Sequence, residues 1–304
     1  MSNLLKNIAL MTRKAARAKG SESVASTEYS DSFFIDKVMS VDSKPEAARV
    51  GGEYLHVSSL IGMCPRRHLI AYATKVERSK TAAPSMRIVW ALGRAAETHV
   101  RSQFIDAMEY RSVLGVWKCK CGHTKVSGLY DDTIKCSKCE KKAKTYTEFV
   151  LMDHERKIVG SPDMVYVRPD NNKLMVVECK SINKKGYEEL NKPHWDHIEQ
   201  AAAYRQLLLQ NGGVVDDYVT IIYVCKDFSF KGPYREFRVK IEGQIQDDVE
   251  FMWKMAEDYA KSCESVKNGK TAAYPKRLPL CPSSDTPTAK SCDCVGMCFA
   301  LPNG

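Results

Sequence analysis

Two β-rich runs meet across a turn that proline and asparagine dictate, and little else in the chain restricts its fold as tightly. Val159–Val167 and Leu174–Ile182 carry β-forming residues, and Pro169-Asp170-Asn171-Asn172 between them is turn chemistry. Residues two apart in a strand share a face. Glu178 and Lys180 therefore point one way, with Leu174 and Val176 beneath them, and Cys179 points the other way into a core. A turn centred between Asp170 and Asn171 pairs residues whose numbers sum to 341 and sets Asp163 opposite Glu178. A turn centred one residue later sums to 343 and sets Asp163 opposite Lys180.

Either register brings Asp163 to the Glu178 and Lys180 side. Cross-strand neighbours lie about 4.5–5.5 Å apart at Cβ, and two carboxylates at that distance repel. A divalent cation relieves the repulsion, and Mg²⁺ favours such hard oxygen ligands. The combination suits phosphodiester hydrolysis, in which a metal acidifies water and stabilises charge on the phosphate. Lys180 would orient the nucleophile or neutralise the pentavalent state. The plain alternative is a surface hairpin with an ordinary Glu/Lys ladder; Gly160-Ser161-Pro162-Asp163 upstream weighs against it.

The rest of the chain supplies an α/β frame. Met86–Val113 has helical spacing, with Ile88, Leu92, Ala95, Ala96, His99 and Gln103 on one face. His194–Gln210 reads as a helix closed by Gly212-Gly213, Tyr218–Cys225 and Arg235–Ile241 as strands, and Gln244–Lys267 as a long amphipathic helix. The tail from Tyr274 is rich in Pro and Cys and needs an anchor. At 304 residues, 44% hydrophobic and 27% charged, the chain can bury a sizeable core. Its net charge of +9 suits a polyanionic partner. No apolar run reaches the roughly 18 residues a membrane span needs. Residues 1–21 hold five basic residues and no acid; an organelle transit peptide, a phosphate-touching basic arm and a frayed helix all fit them.

Twelve cysteines are many for this length. No secretory signal is visible, so their clusters read as metal sites in a reducing compartment. Cys119-x-Cys121 and Cys136-x-x-Cys139 form two thiolate hooks about fifteen residues apart, as in a zinc ribbon. The first hook is one residue short, so His123 is an alternate ligand. The segment also holds Lys118, Lys120, Lys125, Lys135, Lys138, Lys141, Lys142 and Lys144. They fit a phosphate contact and a merely solvated module equally well.

Asp163 followed by Glu178-x-Lys180 resembles the signature of the PD-(D/E)XK nucleases. His99 sits where the RecB-like branch carries a metal-binding histidine, and Gln200-x-x-x-Tyr204 resembles that branch's Q-x-x-x-Y motif. Taken singly, His99 reads as a core histidine and the Gln200/Tyr204 pair as part of an amphipathic helix. The ordered set is far more specific. The resemblance implies Mg²⁺ or Mn²⁺ held by His99, Asp163, Glu178 and the backbone carbonyl of Cys179, with Lys180 assisting. Gln200 and Tyr204 complete the implied active site and help position DNA, and Arg66 and Arg67 are further DNA-binding candidates.

CRISPR-associated RecB-like nucleases also hold a [4Fe–4S] cluster with one cysteine before the core and three after it. By that resemblance the ligands here are Cys64, Cys281, Cys292 and Cys298, with Cys294 as alternate; zinc is the rival ion. The family's tail spacing is C-x2-C-x5-C. Cys292 and Cys298 keep the x5 spacing, but ten residues separate Cys281 from Cys292.

The implied fold is an α/β restriction-endonuclease-like core, a mixed central sheet flanked by helices, with an inserted zinc ribbon and iron–sulfur-stapled termini. The segments are 1–50 (basic and polar), 51–116 (helical, with Cys64 and His99), 117–146 (ribbon), 147–270 (nuclease core) and 271–304 (cluster segment). The implied activity is metal-dependent DNA hydrolysis, exonucleolytic on single strands or duplex ends, in recombination, repair or viral genome processing. No G-x-x-x-x-G-K-[ST] loop is present, so a helicase or recombination protein would supply unwinding. The expected location is cytoplasmic, the host cytoplasm for a viral protein. A non-catalytic nucleic-acid-binding module and an RNA-directed nuclease are the alternatives; oligomeric state is not legible.

Overall fold

A computed structural model of the chain describes residues 49–303 apart from 51, 76, 79–83, 108–111, 131–132, 134, 228–231 and 270–273. The readings made for residues 1–48 lie outside the described residues. The first elements are β1 (Arg49–Val50), β2 (Leu55–His56), α1 (Val57–Leu60), α2 (Pro65–Thr74), β3 (Glu77–Arg78) and α3 (Pro84–Ala107). Six strands follow: β4 (Val113–Lys118), β5 (Lys125–Leu129), β6 (Thr145–Thr147), β7 (Leu151–Asp153), β8 (Ile158–Gly160) and β9 (Met164–Val167). Next come β10 (Leu174–Ile182), α4 (Lys184–Glu189), α5 (Trp195–Gln210), β11 (Tyr218–Cys225) and β12 (Tyr234–Lys240). The chain ends in α6 (Gln244–Lys267), α7 (Pro287–Lys290) and α8 (Val295–Ala300).

The central strand β10 dictates the layering. Val176, Val177, Glu178 and Cys179 are all buried, so both faces need a cover. On one face Val176, with Val219, Ile221 and Tyr223 of β11, packs against Ala201, Tyr204 and Leu207 of α5. On the other, Val177 and Cys179 share a core with Val100 and Ile105 of α3 and with Trp117 and Met164. The seven-stranded sheet runs β12-β11-β10-β9-β4-β5, with β6 also on β4. Among the described strands of this sheet only β10 and β11 pair in parallel, joined by the crossover through α4 and α5. The helix α6 packs outside α5 and against α2. A mixed sheet flanked by helices is the expected α/β core.

The structure adds detail to three readings. The run Val159–Val167 is not one strand. Pro162 offers no N–H to a ladder, and the chain breaks there into β8, in a small sheet with β2 and β7, and β9 in the main sheet. The segment 117–146 is rooted in the main sheet. β4 crosses its boundary, and β5 and β6 pair with β4. Trp117 at its root is 2% exposed and meets Tyr130 and Tyr146 edge-on. The third concerns α3. Its stripe of Ile88, Leu92, Ala95 and His99 is exposed, and Gly93, Val100 and Ile105 turn inward. A Cβ at Gly93 would lie 2.9 Å from Ser181 Oγ, so the missing side chain lets this face of α3 close onto β10.

Among the described residues no helix is long and apolar enough to cross a membrane.

Candidate active site and thiolate sites

The hairpin takes the 341 register: Leu174 pairs with Val167 and Val177 with Met164, which brings Asp163 level with Glu178. Asp163 stands just before β9, and its Oδ2 accepts a 2.7 Å hydrogen bond from the Cys179 backbone N–H. Its carbonyl accepts one from Tyr146 Oη at 3.2 Å. Lys180 Nζ donates to Glu178 Oε1 at 2.8 Å and to Gln200 Oε1 at 3.0 Å, and Gln200 Nε2 donates to Tyr204 Oη at 3.2 Å. One turn of α5 thus carries the lysine's second partner and a buried tyrosine behind it. Gly160 makes room for that tyrosine: a Cβ there would lie 2.8 Å from Tyr204 Cε1 and 2.7 Å from Val57 Cγ2.

The carboxylates are crowded and dry. Burial, then the charge of Asp163, pushes Glu178 up to about 8 against the pull of Lys180. Burial also raises Asp163, opposed by the Cys179 N–H and Lys180. Lys180 loses solvation, yet Glu178, Asp163 and Glu97 hold it above the ordinary lysine value. Among the described residues, buried Glu178 Oε2 has no hydrogen-bond partner. A buried carboxylate oxygen left bare is costly, and a divalent cation would satisfy it. The donor set therefore fits such an ion.

The structure does not bring His99 to this group. The ring is exposed and lines a cleft of about 430 Å³ with Leu92, Ala95, Val224, Lys226 and Tyr234. The acid two residues earlier takes the inward position. Ser181 Oγ donates to Glu97 Oε1 at 3.5 Å, and burial and the Asp163 charge raise the Glu97 carboxyl. Residues two apart on a helix differ by about 200°, so Glu97 and His99 face opposite ways. Glu97 was legible as the fourth residue after Gly93, a step that keeps a helix face. Arg101, one turn on, was also missed. It pairs with Glu148, lies 5.6 Å from the Tyr146 ring and acts electrostatically on Asp163.

Arg66 and Arg67 need the same correction. Arg66 is fully buried. It donates to Cys298 Sγ at 3.2 Å and to the carbonyls of Pro275, Cys298, Leu301 and Pro302 at 2.8–3.0 Å. Arg67 makes a bidentate pair with Asp293 at 2.8 and 3.1 Å. Their guanidinium groups hold the tail onto α2 and are not free for phosphate.

Of the tail cysteines, Cys294 stands apart. It is 1% exposed, packs with Ile70 and Ala71, and its Sγ lies 3.8 Å from the Arg67 carbonyl. Cys64, Cys281 and Cys292 are half-buried around a cavity of about 330 Å³. Burial raises the Cys64 thiol, and the charges of Cys292, Cys298 and Cys281 raise it further. In the ribbon, Cys119, Cys121, Cys136 and Cys139 place their sulfurs within 4.8 Å of one another. Among the described residues they are the one group of three or more such donors that does so, and His123 is not in it. That cluster could hold a metal.

A carboxylate hairpin with an adjacent lysine, set on a mixed sheet between two helices, defines a metal-dependent nuclease. The family model of the PD-(D/E)XK nuclease superfamily matches residues 59–299, and the chain belongs to that superfamily. Its nucleases use divalent metals such as Mg²⁺ or Mn²⁺. Among solved structures, an alkaline exonuclease (LHK-Exo) from Laribacter hongkongensis is similar at 15% identity and a TM-score of 0.40, over 73% of this chain and 94% of that one. LHK-Exo in complex with dAMP is similar at 14% identity and a TM-score of 0.40, over 71% and 93%. No curated protein sequence matches the chain.

Proposed function

We propose that the protein is a divalent-metal-dependent DNA nuclease of the RecB-like branch, acting as an exonuclease on single strands or duplex ends. The single observation that carries the reading is the bare, buried Glu178 Oε2 beside Asp163 and Lys180. Asp163, Glu178 and the Cys179 carbonyl would hold Mg²⁺ or Mn²⁺, and Glu97, held by Ser181, is a further acid near them. When bound, such an ion supplies an acidified water and charge neutralisation at the phosphate. The Cys179 N–H holds the Asp163 carboxylate in place. Lys180 is a cation with two of its three protons committed. It is therefore a donor to developing phosphate charge and not a base. Gln200 and Tyr204 fix its direction. Unwinding would fall to a helicase or recombination partner.

The cysteines fit two further metals. Four mutually close sulfurs in the ribbon suit one tetrahedral Zn²⁺, whose Zn–S bonds of about 2.3 Å keep ligands close. Cys64, Cys281, Cys292 and Cys298 are near enough to feel one another's charge but too far apart for one ion. That spacing favours a [4Fe–4S] cluster, in which each thiolate binds a different iron. Its role would be structural.

The test is cleavage of end-labelled single-stranded DNA by anaerobically purified protein, with Mg²⁺ or Mn²⁺ against EDTA, beside Lys180→Ala. Metal-dependent products that fall at least about a thousandfold in the variant, with its melting temperature retained, are expected. Cleavage by Lys180→Ala at the wild-type rate overturns the site.

A further inference from the structure

The ribbon carries a charge pattern that its own fold does not explain. Between Trp117 and Tyr146 stand eight lysines against three acidic residues, Asp131, Asp132 and Glu140. Four thiolates around a zinc ion leave about two negative charges, so a basic excess survives. Lys120, Lys125, Lys135, Lys138 and Lys141 are exposed. Two cross-strand pairs set lysine directly against lysine. Lys118 faces Lys125 in the β4/β5 ladder, and Lys135 faces Lys142 in an isolated antiparallel bridge. Like charges directly opposite destabilise a sheet. A polyanion lying on the ribbon would relieve the repulsion of Lys118 and Lys125.

The sheet places this pattern beside the carboxylates. β4 pairs Val113 with Tyr166 and Leu114 with Val165, then runs on past the start of β9. Its Lys118 end therefore points the way Asp163, Glu178 and Lys180 lie. Tyr146, opposite Trp117 in the β4/β6 ladder, donates to the Asp163 carbonyl. The ribbon's root and the acidic motif are in direct contact.

We propose that the ribbon is a second nucleic-acid contact, which takes the sugar–phosphate backbone of the DNA strand whose scissile phosphate lies at Asp163, Glu178 and Lys180. The proposal rests on the nuclease reading above. The contact is to phosphate alone, because the ribbon's large aromatic rings, Trp117 and Tyr130, are buried and offer bases no stacking platform. It is independent of sequence and weakened by salt.

Lys125→Glu with Lys135→Glu tests it, since the two changes turn both repulsive pairs into attractive ones. The expected result has two opposite signs. The melting temperature holds or rises, while KM for long single strands rises about tenfold and the salt dependence loses about 0.7 of a log–log slope unit per contact removed. Cleavage of a tetranucleotide, too short to reach the ribbon, is unchanged. Lys254→Glu with Lys261→Glu on α6 alters net charge equally and leaves KM as in the wild type. An unchanged long-strand KM or an equal effect of the α6 pair overturns the proposal. Should the double variant not fold, Lys120→Ser with Lys138→Ser in the exposed turns is read the same way. A wild type that cuts neither substrate sinks the nuclease reading instead, and fluorescence anisotropy with labelled strands then decides the ribbon separately.

Discussion

The two sets of cysteines solve different problems. The ribbon's four come from one stretch of chain and converge to within 4.8 Å. The other four lie up to more than two hundred positions apart, and three of them, Cys64, Cys281 and Cys292, line a cavity. A local site closes a short loop and organises little beyond itself. A long-range site ties the tail to α2, where Arg66 spends its donors on four tail carbonyls and a thiol. On the proposed assignment, spacing would separate a one-ion site from a larger one, and sequence separation a local brace from a global staple.

The largest effect should come from breaking the staple. Cys298→Ala is expected to lose iron and brown colour and to cost roughly 5 kcal/mol or more, leaving a poorly soluble chain. Cys136→Ala should lose only zinc and cost about 2 kcal/mol, because β4 and β6 stay paired in the main sheet. Metal analysis and calorimetry of the two variants check the contrast, and equal destabilisation would erase it. A wild type with zinc in both sites would refute the cluster.

The carboxylate centre sharpens the comparison, since on the proposed reading it would hold an ion by charge and not by thiolate. Glu178 is raised to about 8 from an ordinary value of 4.5. Stability from its neutral form is therefore fully present below about pH 4.5 and lost as pH rises through about 8. In EDTA the melting temperature of the wild type should fall over that window relative to Glu178→Gln, by an amount equivalent to a few kcal/mol. Mg²⁺ should flatten the fall. Parallel curves for the two proteins would show that Glu178 is not strained.

The smallest effect is expected at Cys294→Ala. That thiol packs on Ile70 and Ala71, so its loss should cost about 1 kcal/mol and leave iron content unchanged. Loss of iron there, with iron retained in Cys292→Ala, would exchange the two roles.

Much of this was legible along the chain. The period-2 pattern around Glu178 and Lys180 and the Pro169–Asn172 turn limited the hairpin to two registers, one of which the structure takes. The helices α5 and α6 followed from their period and from Gly212, whose φ of +82° ends α5. The cysteine hooks of the ribbon were readable because its ligands are local. Helical period also found a stripe on α3, but period cannot say which stripe meets the sheet. Gly93 against Ser181 decided that and turned Glu97 inward and His99 out. Nor could charge alone tell a phosphate-binding arginine from a buried one. Arg66 and Arg67 share a helix and a net charge, and only the return of the tail from the far end of the chain assigned their partners. The sequence by itself determined most of the elements, the carboxylate–lysine hairpin and the local pairing of the ribbon cysteines, because those depend on neighbours within a few residues. Which face turns inward, where a strand breaks between two sheets, and what an arginine grips were decided by contacts between distant segments, which close packing permits in only one arrangement.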